Sequence, residues 1–189
     1  KVEDIVNSVR NYAKERKLKK TPSKVNGTVA EAIQDFRFAF HCDNLAINFF
    51  RSNAEPVCSL SPLEFELAIY NLLKNAKEAL EAQNVKNPEI TLAVNEDKDS
   101  CRIAIADNGS KVSDDELQRI QVSMSSRKSA GLGIGLSIVR SIIQNHGGKF
   151  SIKRTELGSG ITCEITLPLF KAEHSQEIKP DRTIEAHTK

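Results

Sequence analysis

No apolar run in this chain approaches the length needed to cross a bilayer, and no secretory signal is visible at its start. If the parent protein is membrane-bound, its anchor is therefore expected outside this chain. The domain itself is expected in the cytoplasm, without membrane contact, with an inner-membrane anchor left open for the full-length parent. A strong charge of either sign is also missing. Lys+Arg 27 against Asp+Glu 25 leaves a formal net charge of +2, which argues against bulk electrostatic binding to nucleic acid. The one basic run, Arg16-Lys17-Leu18-Lys19-Lys20, reads as a solvated face in so balanced a chain. Cysteine is sparse and scattered. Cys42, Cys58, Cys101 and Cys163 contain no C-x-x-C pair, so they read as reduced thiols in or near the core, not as a zinc or disulfide set. There are no internal repeats.

The 189 residues suffice for one domain of ordinary size with short extensions. Residues 1–24 read as the end of a preceding helix, with Val2, Ile5, Val6 and Val9 on one stripe, followed by a linker at Thr21-Pro22. Residues 25–170 form the domain proper, and 171–189 a polar tail. Within the domain, Thr28–Phe40 is predicted helical, Leu45–Phe50 a strand and Pro56–Ser59 a short one. Glu89–Val94 alternates as a half-buried strand should, and pairs with Cys101–Ala106 through the turn at Asp97–Ser100. Residues 113–121 are predicted to form a short helix, and 122–130 a mobile loop. A helix opened by Gly131 stops at Gly147-Gly148, and Lys149–Lys153 and Ile161–Leu167 are two further strands. The sum is an α+β fold, a two-layer sandwich in which helices cover one side of a mixed, mostly antiparallel sheet.

Ser61 through Leu80 stands out as one long helix with two opposed faces. Pro62 suits its first position, and Ser61 with Glu64 has the spacing of a capping box. Phe65, Ile69, Leu72, Leu73, Ala76 and Leu80 make an apolar stripe. Glu64, Asn71, Asn75 and Glu78 fall within an arc of roughly 60° on the other side. That row is either a solvated face or a set of oxygen ligands for a hard cation such as Mg²⁺. Downstream, Gly131-x-Gly133-x-Gly135 precedes a helix. Glycines admit a close backbone approach, and a helix N-terminus offers unpaired N–H groups to a phosphate; alternatively they mark only a tight helix entry. The spacing is neither the dinucleotide fingerprint nor a P-loop. Asp107-Asn108-Gly109 ends a strand, where it forms either an ordinary turn or a carboxylate that accepts the exocyclic amine of adenine.

In order, Asn71-x-x-x-Asn75, Asp107-x-Gly109, Gly131-x-Gly133-x-Gly135 and Gly158-x-Gly160 resemble the N, G1, G2 and G3 boxes of the GHKL (Bergerat-fold) ATPases. Asn-Leu-Leu-Lys-Asn-Ala-Lys-Glu-Ala, Gly-Leu-Gly-Ile-Gly-Leu-Ser-Ile-Val and Asn-His-Gly-Gly are most similar to the sensor histidine kinase branch. The resemblance implies the Bergerat ATP-binding fold over about residues 25–169, with ATP and Mg²⁺ as its ligands. It implies that Asn75, with Asn71 beside it, holds Mg²⁺. Asp107 would bind the adenine amine, supported by Thr162, and Gly109 would pack on the ring. Gly131, Leu132, Gly133, Ile134, Gly135 and Leu136 would line the phosphates. Residues 110–130 would be the lid, with Arg127 or Lys128 reaching the γ-phosphate.

Three departures from that family stand out. Relatives often read Asp-x-Gly-x-Gly, whereas position 111 is Lys; the lid stretch 120–128 holds no Phe; and none of His41, His146, His174 and His187 is followed by an acidic residue, as a phosphoacceptor would be. The acceptor is therefore expected on separate dimerisation helices of a homodimeric parent, with a response regulator receiver domain as downstream partner. An Asn at position 71 cannot act as the base that hydrolytic relatives carry there, so slow hydrolysis and transfer to an imidazole are expected. The competing readings are a nucleotide-binding regulatory module with little kinase activity and a GHKL serine kinase.

Overall fold

The structure is a computed structural model and describes residues 19–40, 42, 44–125, 134–155 and 160–171. The elements run β1 (Thr21–Lys24), α1 (Val25–Phe40), β2 (Ala46–Phe50), β3 (Val57–Leu60), α2 (Pro62–Ala82), β4 (Glu89–Glu96), β5 (Ser100–Asp107), α3 (Asp114–Ser125), α4 (Ile134–Asn145), β6 (Lys149–Arg154) and β7 (Ile161–Pro168). Five strands form the main sheet in the order β2-β4-β5-β7-β6. The β2–β4 pair is parallel and the other three pairs are antiparallel, as expected for a mixed, mostly antiparallel sheet. The α+β architecture expected from the sequence is the one observed.

Alternation decides which face of the sheet meets the helices. Ile90, Leu92 and Val94 of β4, Cys101, Ile103 and Ile105 of β5, and Ile165 and Leu167 of β7 are buried, while their neighbours are half-buried or exposed. Against this face lies α2, whose whole predicted stripe is buried: Phe65, Ile69, Leu72, Leu73, Ala76 and Leu80. Each large side chain removed from water contributes roughly 1.5–3 kcal/mol, so α2 anchors the domain by its apolar side. Helix α1 packs on one flank of α2 and α4 on the other. Within the polar arc of α2, Asn71 and Asn75 face the start of α4, while Glu78 stays exposed.

Two helix ends show why the chain turns where it does. At the end of α2, Asn84 takes φ +51, while Val85 N–H donates to Leu80 O at 3.1 Å and Asn84 N–H to Glu81 O at 3.0 Å. This is a Schellman motif with Asn in the left-handed position. Helix α4 ends in the same way. Gly147 takes φ +73, with Gly148 N–H on Ile143 O and Gly147 N–H on Gln144 O, both at 2.9 Å.

The structure corrects three sequence expectations. Thr21–Lys24 is not linker but a strand, paired antiparallel with β3 from Thr21↔Leu60 to Lys24↔Val57. Helix α3 runs on to Ser125, through the first residues of the predicted loop. The Ser61–Glu64 capping box does not form. The Ser61 hydroxyl makes no cap bond, and the Ser61 N–H that Glu64 would have bound donates to His146 Nε2 at 2.9 Å. A real capping box sits at α3, where Ser113 N–H and Oγ–H donate to Glu116 Oε2 at 2.9 and 2.8 Å and Glu116 N–H returns to Ser113 Oγ at 3.2 Å. Those bonds hold the exposed Glu116 carboxyl below its usual range. Among the cysteines, the buried Cys58 and Cys101 are free thiols hydrogen-bonded to one another, an arrangement that raises Cys101 and lowers Cys58.

Candidate functional site

The long helix α2 presents two carboxamides to the first turn of α4. Asn71 is buried, and its Nδ2 donates to Leu67 O at 2.7 Å. That bond fixes the amide so that Oδ1 faces away from its own helix. A Cβ placed on Gly135 would lie 3.4 Å from Asn71 Oδ1, 3.4 Å from Asn75 Oδ1 and 3.6 Å from Asn75 Nδ2. Two neutral oxygens and the bare Cα of a helix start thus converge on one small space. Among the described residues no donor is bonded to Asn71 Oδ1. A buried oxygen left open beside helix N–H groups fits a cation and an anion held together. Gly135 is not a positive-φ glycine, so its backbone makes no demand for glycine. Only the space does.

The second cluster sits where β5 ends. Gly109 N–H donates to Asp107 Oδ1 at 2.9 Å, and Ile161 N–H donates to Oδ2 at 3.3 Å. Burial pushes the Asp107 carboxyl above the usual carboxylate range, and the backbone N–H bonds from Gly109 and Ile161 pull against that shift. Beside it, burial and the Asp107 charge push the Cys163 thiol up to about 12, so this cysteine stays protonated at neutral pH. Thr162, predicted to support Asp107, has its hydroxyl 3.1 Å from Thr155 Oγ1 instead. Successive β7 residues point to opposite faces, and Ile161, opposite Asp107, provides the support through its backbone. Gly160 takes φ +106, and a Cβ there would stand 2.1 Å from Asp107 O and 2.7 Å from Oδ1. Glycine is required at this position by both backbone and space.

Asn108, between the two named residues, holds the turn to the sheet. Its Oδ1 accepts Glu89 N–H and its Nδ2 donates to Asn87 O, both at 2.8 Å. Ser110, where the predicted lid begins, is bonded on both sides. Its N–H donates to Gln83 Oε1 at 2.5 Å, and its carbonyl accepts Gly160 N–H at 3.2 Å. The segment before α3 is tied to β6 by Arg154 Nε on Val112 O at 2.7 Å, and α3 itself by Gln121 Nε2 on Ile152 O at 3.2 Å. Sequence reasoning missed Gln83. Its signal was spacing, since Asn71, Asn75, Ala79 and Gln83 follow one another at every fourth residue along α2.

Other candidates fall elsewhere. Arg127, Lys128, Gly131, Leu132, Gly133 and Gly158 lie outside the described residues, as do residues 1–18 and 172–189. Ile134 and Leu136 stand in the first turn of α4, with Leu136 partly buried against the core. Glu78 is exposed and pairs with Lys74 at 3.6 Å. His146 is buried with both ring nitrogens bonded, Nε2 to Ser61 N–H and Nδ1 to Ile142 O at 2.7 Å. A backbone N–H only donates and a carbonyl only accepts, so the ring is the neutral Nδ1–H tautomer. An open cleft of about 580 Å³, lined by Phe40, Leu45, Lys77, Leu80 and Val85 among others, lies at the C-terminal ends of α1 and α2 and includes none of the predicted site residues. Among the described residues no helix is long and apolar enough to cross a membrane.

The chain is similar to several known proteins. The chain is 29% identical over 169 residues to the sensor protein TdiS of Thauera aromatica, covering 88% of this chain and 30% of that one. It is 32% identical over 106 residues to the sensor protein FixL of Bradyrhizobium diazoefficiens, covering 56% and 21%. It thus spans about a third or less of these curated relatives. Among solved structures, the catalytic domain of histidine kinase ThkA aligns with a TM-score of 0.66 at 22% identity, over 79% of this chain and 96% of that one. ThkA in complex with the response regulator protein TrrA aligns at 0.67 and 24%, over 88% and 47%. Full-length ShkA in complex with AMPPNP aligns at 0.64 and 21%, over 82% and 32%. Residues 61–171, more than half of the chain, match the model of the histidine kinase-, DNA gyrase B-, and HSP90-like ATPases, and the chain belongs to that family.

Proposed function

We propose that this chain is the ATP-binding catalytic domain of a sensor histidine kinase. It binds Mg-ATP and passes the γ-phosphoryl group to a histidine on separate dimerisation helices, from which a response regulator Asp takes it. The carrying observation is the convergence of Asn71 Oδ1 and Asn75 Oδ1 on the bare Cα of Gly135. Relatives named as sensor proteins, one neighbour solved with AMPPNP and another solved with a response regulator support the same reading. ATP is a cytoplasmic substrate, so the domain is placed on the cytoplasmic side, and the parent is read as a homodimer.

The roles follow from what each group can do. Asn75 and Asn71 hold Mg²⁺ by neutral oxygens, and the ion when bound supplies charge neutralisation at the phosphates. Gly131, Leu132, Gly133, Ile134, Gly135 and Leu136 offer backbone N–H groups and positive helix-end potential to the phosphates. Asp107 accepts the adenine amine, and Gly109 leaves room for the flat ring. Arg127 and Lys128 bring positive charge to the terminal phosphate. A carboxamide has no basic site at neutral pH, so Asn71 does not activate water, whereas a neutral imidazole needs no base to attack. His146 is not that acceptor, because both of its nitrogens are engaged within the core.

The test is to incubate the 189-residue chain with γ-labelled ATP and a separate acceptor-helix fragment. Acid-labile label on the fragment, lost with Asn75→Asp, is the expected result. Acid-stable label would favour the serine-kinase reading. Tight nucleotide binding without transfer would favour the regulatory-module reading, which Lys111 in place of the family glycine motivates.

A further inference from the structure

The C-terminal end of α2 carries a side chain that the family boxes do not include. Gln83 is the C-cap residue, held by its N–H on Ala79 O at 3.1 Å, and Asn84 turns the chain away immediately after it. This fixed backbone aims the carboxamide across at the turn after β5. Gln83 Oε1 accepts Ser110 N–H at 2.5 Å. It also stands 2.7 Å from the point where a Gly109 Cβ would be, while Asp107 Oδ1 stands 2.8 Å from that same point. The two oxygens are thus neighbours, no farther apart than the sum of those two distances. An amine nitrogen that donates one hydrogen to each of two oxygens holds them about 5 Å apart. Along α2, Asn75 and Gln83 are separated by about 12 Å at 1.5 Å per residue, a span on the scale of a nucleotide. Ala79 is the small residue between them in the four-residue row.

We infer that Gln83 is a positioning and specificity-determining residue for the purine end of the site: it clamps the root of the lid at Ser110 and sets a second acceptor oxygen beside Asp107, selecting a 6-amino purine over a 6-oxo purine. The proposal rests on the nucleotide reading given above and deepens it. The physical reason is local. Where related sequences read Asp-x-Gly-x-Gly, this chain has Lys111. Here the turn that follows Asp107 is fixed from both sides instead, by Gln83 on Ser110 N–H and by Gly160 N–H on Ser110 O at 3.2 Å. Gly160 in turn packs on Asp107 O. Gln83, Ser110, Gly160 and Asp107 therefore form one linked set, and loosening Gln83 frees the loop that aims the carboxylate. A 6-oxo purine would turn a carbonyl oxygen toward two acceptors and lose both bonds.

The experiment compares the full 189-residue chain with Gln83→Met and Gln83→Glu in three measurements: titration with Mg-ATP and Mg-ITP, melting without nucleotide, and amide exchange at Ser110. Met keeps the length and loses the acceptor, whereas Glu keeps the acceptor. The expected result has five parts. Wild type prefers ATP to ITP. Gln83→Met loses about tenfold in ATP affinity, with ITP little changed. Ser110 exchange speeds up in that variant. Its nucleotide-free melting temperature stays at the wild-type value. Gln83→Glu restores the preference. Equal losses for ATP and ITP, unchanged ATP affinity in Gln83→Met, or no rescue by Glu would overturn the assignment while leaving the site reading intact. A wild-type chain that binds neither nucleotide would overturn both.

Discussion

Gly135→Ala tests whether glycine is present for the backbone or for a ligand. The residue lies in the first turn of α4, where its φ is not positive, so alanine fits the backbone. Its new methyl would meet Asn71 Oδ1 and Asn75 Oδ1 at 3.4 Å, ordinary contact distances that call for no rearrangement. Replacing a helical Gly by Ala stabilises a fold by about 0.5–1 kcal/mol, mostly by restricting the unfolded chain. For a domain of this size the melting temperature should rise by about 1–4 °C. The same methyl fills the space into which both carboxamide oxygens open. Affinity for Mg-nucleotide should fall at least about tenfold, or about 1.4 kcal/mol. Paired melts with and without Mg-ADP, together with a binding titration, read both effects. A variant that melts higher yet binds nucleotide as wild type does would refute the site. One that melts several degrees lower would refute the packing.

Three further outcomes follow from the same geometry. Gly160→Ala forces a side chain into φ +106 and against Asp107 O at 2.1 Å, so it should cost more than about 2 kcal/mol in a denaturant melt and weaken nucleotide binding as well; a wild-type midpoint would contradict the crowding at that turn. Because burial raises the Asp107 pKa, its ionised form is less favourable in the folded domain than in the unfolded chain. Its contribution to stability is fully present below the unfolded pKa and is lost as pH rises through the folded one. Nucleotide affinity has the opposite slope, since the amine needs an ionised acceptor. Titrations from neutral down to about pH 4 should lose affinity at a higher pH than an ordinary aspartate would give, and a flat profile would remove Asp107 from the purine site. His146→Ala leaves the buried Ser61 N–H without its acceptor and should cost about 1–3 kcal/mol, visible as a lower denaturant midpoint; an unmoved midpoint would show that the bond carries nothing.

The periodic parts of the fold were legible from sequence because one face of each element is buried. The α2 stripe and the β4–β5 alternation are local patterns, and the structure buries the residues those patterns select. What sequence missed is decided by partners far away. Thr21–Lys24 has neither alternation nor β-branched runs beyond Thr21, and it is a strand only because β3 offers it an edge. Ser61 and Glu64 carry the right spacing for a capping box, yet an imidazole 85 residues downstream takes the N–H that Glu64 needed. The same holds in the candidate site. Asn71, Asn75, Asp107 and Gly135 stood out as boxes, but a glutamine at a helix end looks like solvated surface until Ser110 is seen against it. Asp107 takes its second bond from a main-chain N–H, which no side-chain identity announces, and so the support was assigned to Thr162.

The small two-stranded sheet has a mechanical consequence. Because β1 is hydrogen-bonded along its length to β3, and β3 runs within two residues into α2, the entry to the domain is rigidly spliced to the helix bearing Asn71 and Asn75. Lys20, bonded to the Asn145 carbonyl at the far end of α4, braces the same corner. A displacement at Thr21 is therefore carried through β3 into the start of α2. Force delivered there reaches the carboxamide helix without slack.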